Sequence, residues 1–397
     1  MRALVLALAA ALVCAPVFAQ DRILVRSEPG TPVVTVEVLL AAGPADEPEG
    51  EEGVAYLAAR SVVAPILSVL DSLGARLRVE GGKDAVSMTL TAAPDAWDEA
   101  TRTLLVALFR DPLEASAITR QRAALVAELT ARETSPADAL KREVDAAVWG
   151  RDHPWGRPAV GTAATVGRIE PAAVEAFLRR AFSQERAVIA VVGPVERADV
   201  DARVLAFLEP GALRAGEVPP PTRGDTAVHT EYNAITAWVA ASYRFGPGAD
   251  VESIRMLGSL VLDQVGFGPS RRSVYDQGVE VVRHAGGGEL RIHLVVPPRE
   301  AEAWGTRMRE AVAGYAGAPV SEAAFTERAR RFRGRRLLEL DSPEARADAL
   351  ARGALVGERG DPLAAVQRVT AERLHAAARS LDAPVMVYLG PFEKDRE

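Results

Sequence analysis

The stretch that starts at Gly74, GARLRVEGGKDAVSMTLTA, decides the fold. It reads as two alternating strands around a glycine turn, a hairpin signal. A second stretch, GVEVVRHAGGGELRIHLVV, starts at Gly278 and reads the same way. Each is followed by a helical segment carrying Trp97 or Trp304, then by a second helix opening AITRQR at Ala117 or AFTERA at Ala324. The two halves also close alike. RIEPAAVEAFLRRAFSQERAVIAVVGP ends at Pro194 and RVTAERLHAAARSLDAPVMVYLGP ends at Pro391. In both, a capped helix feeds an apolar strand that stops at Gly-Pro.

Matched elements in one order, about two hundred residues apart, describe an internal duplication. The expected fold is α+β: two homologous domains, each a mostly antiparallel sheet packed with helices, facing each other across a cleft. The domains are residues 20–208 and 227–397. Residues 209–226, EPGALRAGEVPPPTRGDT, contain Pro219-Pro220-Pro221 and read as a stiff, extended linker. The alternative is one continuous domain with chance similarity.

Outward from this repeat, residues 1–19 read as a secretory signal: Arg2, an apolar run over 3–13, and Val17-Phe18-Ala19 as a small-residue cleavage site. The run is too short to span a bilayer. Cys14 raises the alternative of a lipid anchor, against which stands the bulky Val13 before it. Cleavage after Ala19 removes the one cysteine of the chain, leaving an exported, periplasmic protein without thiol or disulfide. With 25% charged and 48% hydrophobic residues, the composition fits a globular protein with a full core. A net charge of -7, with no basic cluster interleaved with aromatics, excludes nucleic acid as the expected partner.

Other segments fall in an order that carries a resemblance: Val33-to-Gly43, VVTVEVLLAAG; Gly53-Val54-Ala55; His153-Pro154-Trp155-Gly156-Arg157-Pro158 followed by Gly161-Thr162; and Val369-Thr370-Ala371-Glu372. Together with the duplication they resemble the pitrilysin/insulinase family of zinc metallopeptidases, in its short two-repeat, processing-peptidase-like branch. The likeness covers nearly all of the chain beyond the signal.

In active members the first long helix carries H-x-x-E-H, two histidines on one helical face gripping zinc and a glutamate acting as general base. Here Tyr56 stands at the first histidine, Ala59 at the base and Arg60 at the second histidine. A guanidinium has no lone pair to donate and alanine cannot take a proton. Two glutamates seven apart on a later helix, the second a ligand, correspond to Gln121 and Glu128, two turns apart on one face. The arginine and tyrosine that hold substrate in the family's C-terminal repeat correspond to Val274 and Val281; Tyr275 and Arg272 stand nearby in sequence but aim elsewhere. An asparagine-alanine pair of relatives corresponds to Arg78-Val79.

No histidine replaces the lost ligands: His153, His229, His284, His293 and His375 include no pair at metal-ligand spacing. His153 reads as a packing residue, and a turn centred on Gly287 would set His284 and His293 on opposite sheet faces.

The resemblance with these departures implies a non-catalytic pseudopeptidase of the cell envelope, with no cofactor of its own and zinc only in active relatives. Its expected partners are an active zinc peptidase relative or a homodimer mate, and unstructured peptides, with no membrane span. The alternatives are an active zinc metalloendopeptidase with unrecognised ligands, or a solitary envelope peptide-binding scaffold. At the altered site, a buried Glu128 is expected to pair with Arg60, with the Tyr56 hydroxyl donating to that carboxylate or to Gln121. The alternative leaves Arg60 in solvent.

Overall fold

The computed structural model describes residues 22–208, 212–220, 226–266, 273–358 and 360–392. The signal-like segment with Cys14, and Arg272, lie outside the described residues.

The first half runs β1 (Ile23–Ser27), β2 (Val34–Leu40), α1 (Val54–Val63), α2 (Leu67–Ser72), β3 (Arg76–Gly81) and β4 (Val86–Ala92). It continues through α3 (Trp97–Phe109), α4 (Ala115–Arg132), α5 (Pro136–Trp149), α6 (Ala163–Val166), α7 (Pro171–Ala181), β5 (Ala187–Gly193) and α8 (Arg197–Val204). The second half runs β6 (Ala227–Glu231), β7 (Ala237–Phe245), α9 (Val251–Gly266), β8 (Asp276–His284) and β9 (Gly287–Val296). It ends with α10 (Ala301–Gly317), α11 (Glu322–Glu339), α12 (Pro343–Leu355), α13 (Pro362–Gln367), α14 (Ala371–Arg379) and β10 (Val385–Gly390).

Each half forms one five-stranded sheet, in the order β1-β5-β2-β4-β3 and β6-β10-β7-β9-β8, which is the same order under the duplication. One pair in each sheet is parallel, β1 with β5 and β6 with β10, and the rest are antiparallel. Composition explains position. The central strands VTVEVLL and AVIAVVG are buried throughout, whereas the edge strand RLRVEG alternates between exposed and half-buried residues. Among the described residues the edges β3 and β8 have no strand beyond them.

The second hairpin corrects one expectation. His284 pairs with Gly287 and Val281 with Leu290, so the turn is Ala285-Gly286 and not centred on Gly287. His293 pairs with Gly278 in the same ladder, and directly opposed residues share a face. His284 and His293 therefore lie on one sheet face, because a turn shorter by one residue reverses the parity.

The helices do not stay with their own sheets. One face of the first sheet packs with α1 and α3 on a core that includes Leu57, Leu104 and Phe177, and the second sheet has the matching core around Leu257, Trp304 and Leu374. On the opposite faces the halves exchange helices. Helix α5, from the first half, lies on β10, β7 and β6, while α12, from the second, lies on β5, β2 and β4. Both crossing helices open identically, with Ser135-Pro136 and Ser342-Pro343. The serine hydroxyl accepts the backbone N–H of Asp138 or Ala345, and proline fills the first helical position, where no N–H is needed. The described part of the linker is held down as well, since Val218 joins the apolar cluster of α5 and the Pro219 carbonyl accepts a 2.9 Å bond from His153 Nε2.

Candidate functional site

Helix α1 starts at Gly53, whose φ of +96° and close approach to the Val160 carbonyl suit only glycine. Ala55 N–H donates to the buried Glu47 carboxylate at 3.1 Å, which caps the first turn. Burial pushes the Glu47 carboxyl up to about 7. Of the ten residues of α1, eight are buried in the first core, Ala59 fully so. Only Tyr56 and Arg60, one turn apart on one face, reach outward. Opposite them, α4 is anchored by the buried Ile118 and Leu125 and presents Gln121 and Glu128 toward α1.

The four outward positions meet. Arg60 Nη1 donates to Glu128 Oε2 at 2.6 Å and Nη2 to Oε1 at 2.7 Å, a two-pronged ion pair. Arg60 Nε donates to Gln121 Oε1 at 3.4 Å, and Arg60 Cζ lies 5.6 Å from the Tyr56 ring centroid, within cation–π range. The hydrogen bond to Glu128 raises the Arg60 pKa, and the same bond holds the Glu128 carboxyl below its ordinary value.

Two details differ from expectation. Glu128 is 54% exposed, not buried, because the face of α4 that reaches Arg60 also borders water. Among the described residues the Tyr56 hydroxyl makes no hydrogen bond to Glu128 or Gln121; Tyr56 meets Arg60 itself, whose guanidinium lies over the ring.

This donor set does not fit zinc. One carboxylate remains, and a permanent cation occupies it with both oxygens. No group of three or more His, Cys, Asp or Glu side chains among the described residues is arranged to hold a metal ion. His153 packs between the Trp155 N–H and the Pro219 carbonyl, His229 meets Glu302 at 2.6 Å, and His375 Nδ1 donates to the Tyr315 carbonyl at 2.9 Å. In the second half, Val274 is half-buried just before β8 and packs on the core, while Val281 is buried within β8. Neither side chain can donate a hydrogen bond.

The two halves enclose a cleft of about 750 Å³ lined from both sides, by Tyr56, Val79 and Gly81 of the first half and by Glu280, Val281 and Arg283 of the second. Both edge strands border it. At its floor lies a polar network that sequence reasoning missed. Asp145, on the crossing helix α5, accepts from Lys83 Nζ at 2.7 Å and from Arg291 Nη2 at 2.7 Å. Arg291 also bonds Glu289, which takes the Ser242 hydroxyl at 2.8 Å. Burial opposes ionisation of Asp145, but Lys83 and Arg291 outweigh it and hold its carboxyl below the ordinary range. Beside this network Asp84 accepts from Trp155 Nε1 and the Ala285 N–H, both at 2.9 Å, and burial pushes it up to about 6. His284, stacked 4.1 Å from Trp155, is driven down to about 3 by burial and so stays neutral. On the neighbouring face Glu37 is fully buried with neither oxygen hydrogen-bonded among the described residues, and burial lifts it to about 7. Glu37 was visible in sequence as the lone charge in VTVEVLL, and Glu289 and Arg291 as two charges two apart in a strand whose other residues, His293 aside, are apolar or glycine.

The chain is thus a two-repeat α+β protein with matching sheets across a cleft, and the α1–α4 face lies beside that cleft. Comparison with known proteins shows where this fold recurs. A peptidase M16 inactive domain from Pseudomonas fluorescens matches 96% of this chain and 99% of its own with a TM-score of 0.79 at 18% identity. A protease from Helicobacter pylori matches 94% and 98%, with a TM-score of 0.79 at 14% identity. In sequence, an uncharacterised zinc protease of Mycobacterium leprae is 32% identical over 103 residues, and the matched stretch spans 26% of this chain and only 23% of that protein. No family model matches the chain. The chain thus shares the fold of these M16-type structures, and about a quarter of it is similar in sequence to proteins called zinc proteases.

Proposed function

We propose that this chain is a non-catalytic, pseudopeptidase member of its fold family in the cell envelope, acting as the inactive partner or peptide-binding subunit of an active zinc peptidase relative. One observation carries the reading: Arg60 holds both oxygens of Glu128 where active relatives need a histidine and a free carboxylate. Val274 and Val281 add to it, since neither can hold a substrate carbonyl. What remains is a cleft bordered by two open strand edges, a geometry that suits an extended peptide pairing along an edge without being cut.

Elemental analysis of the purified mature protein is expected to find no stoichiometric zinc after mild dialysis, and incubation with an unstructured peptide is expected to leave it whole. About one zinc per chain would overturn the reading. A tagged copy purified from the native envelope is expected to bring down a relative that carries an intact H-x-x-E-H. Replacing Tyr56 and Arg60 together by histidine is expected to create zinc binding with Glu128 as third ligand, since the two positions share a helical face.

A further inference from the structure

The cleft adjoins a second cavity of about 790 Å³, and Arg255, Arg283, Asp348 and Arg352 line both. Among the described residues, Arg255, Arg283, Arg336 and Arg352 meet Glu252, Glu339, Asp348 and Glu358 near this junction, and their pairing is uneven. Arg352 bonds Asp348 at 2.6 Å, Arg283 pairs with Glu358, and Arg336 takes both Glu252 at 3.2 Å and Glu339 at 2.9 Å. Arg255, on α9, is left over. Among the described residues its ion contact is a 3.5 Å approach of Nε to Glu252 Oε1, an oxygen that already serves Arg336. That Nε is sealed from water without a hydrogen bond, while the side chain as a whole keeps 28% of its surface exposed. Burial, together with the nearby Arg336 and Arg283, presses the guanidinium below its ordinary pKa, which an arriving anion would relieve.

We propose that Arg255 is a carboxylate-receiving position of the cleft, gripping an acidic side chain or the terminal carboxylate of a peptide held there. Among the described residues these four arginines and four carboxylates balance, and what Arg255 lacks there is a hydrogen-bond partner. An unfilled guanidinium fork matches a carboxylate in two parallel bonds and fits no neutral amide as well. The peptide as the source of the carboxylate rests on the peptide-holding reading above; the carboxylate site itself does not.

The test has two arms on the full chain. In the first, glutarate, with chloride as control, is titrated while thermal melting is followed. Glutarate is expected to raise the melting temperature of the wild type and not of Arg255→Met, with Arg255→Lys, which keeps charge but not the fork, responding less than the wild type. Urea unfolding verifies that both variants fold. An equal glutarate response in the wild type and both variants, or none in any, overturns the proposal. In the second arm, fluorescence anisotropy compares an amidated peptide with a central Glu, its Gln counterpart, and the Gln peptide with a free C-terminal carboxylate. The carboxylate peptide that binds best names the source, and Arg255→Met is expected to weaken it about tenfold while sparing the neutral peptide. If no peptide binds but glutarate acts selectively, the carboxylate site stands and the peptide-holding reading falls. If peptides bind without preference for a carboxylate and glutarate does nothing, the site falls and the peptide-holding reading stands.

Discussion

Glu128 and Asp145 each meet an arginine from another element at about the same distance, 2.6–2.7 Å, yet the two contacts differ in kind. Glu128 is half in water, so the solvent screens its pair with Arg60, and the long side chains lose freedom by holding still. Asp145 is 4% exposed and its partners Lys83 and Arg291 are 10% and 5% exposed, so nothing but protein answers its charge. Bond length alone is therefore a poor guide to what an ion pair contributes. The first pair, screened by water, is expected to add little stability, whereas the second ties a crossing helix to both halves.

The largest effect is expected where the charge is sealed. Asp145→Asn leaves Lys83 and Arg291 facing each other beside Glu289, and the loss in urea-unfolding stability should be about 3–5 kcal/mol. A loss below about 1 kcal/mol would mean that water reaches the junction and would erase the contrast with Glu128.

Glu37 sharpens the comparison through pH, because burial dominates its surroundings and neither oxygen is hydrogen-bonded among the described residues. Its folded carboxyl sits near 7, above the ordinary 4.5, so folding takes up a proton between those values. Stability is then greatest below the ordinary carboxyl range and falls as pH rises through about 7. On its face of the sheet it meets Asp348 and Arg352 from α12 and Glu80 from β3, with Thr89 opposite on β4. Unfolding at pH 5 and pH 8 should show Glu37→Met gaining on the wild type by up to roughly 3 kcal/mol at the higher pH. Glu47 and Asp84 shift in the same direction in both proteins, so the difference between them isolates Glu37. Equal pH profiles would show that Glu37 finds a partner when folded.

The smallest effect is expected at the exposed pair. Glu128→Gln should cost no more than about 1 kcal/mol, and the cost should shrink further in high salt. Its depressed pKa confines this contribution to pH above the ordinary carboxyl range, fading as pH falls. A loss as large as that of Asp145→Asn would make the α1–α4 pair a structural fastening and not a filled vacancy.

The elements themselves were legible in the sequence for a local reason. The hairpin at Gly74, the helix after Gly53 and the strand ending at Gly193-Pro194 each carry their own periodicity and punctuation. The shared face of Tyr56, Arg60, Gln121 and Glu128 follows from helical spacing alone, and so does their meeting once α1 and α4 pack. How far Glu128 would be exposed did not follow, since that depends on what lies over α4. The pairing of His284 and His293 on one face turned on a single residue of turn length. Nothing local in α5 or α12 announces that each rests on the other half's sheet, and the Lys83–Asp145–Arg291 network exists only because α5 does so.

That exchange also sets a timetable. When β5 leaves the ribosome the first sheet has all its strands, but the helix that covers one of its faces begins only at Pro343. At ~5–20 residues per second, the roughly 150 residues between them take about 8–30 s to make. Throughout that interval Leu39, Val188 and Ala190 have no Ala351 to lie against, and Glu37 stands open to water. An emerging first half is thus a sheet with one bare side, and it stays so until nearly the last of the chain has been synthesised.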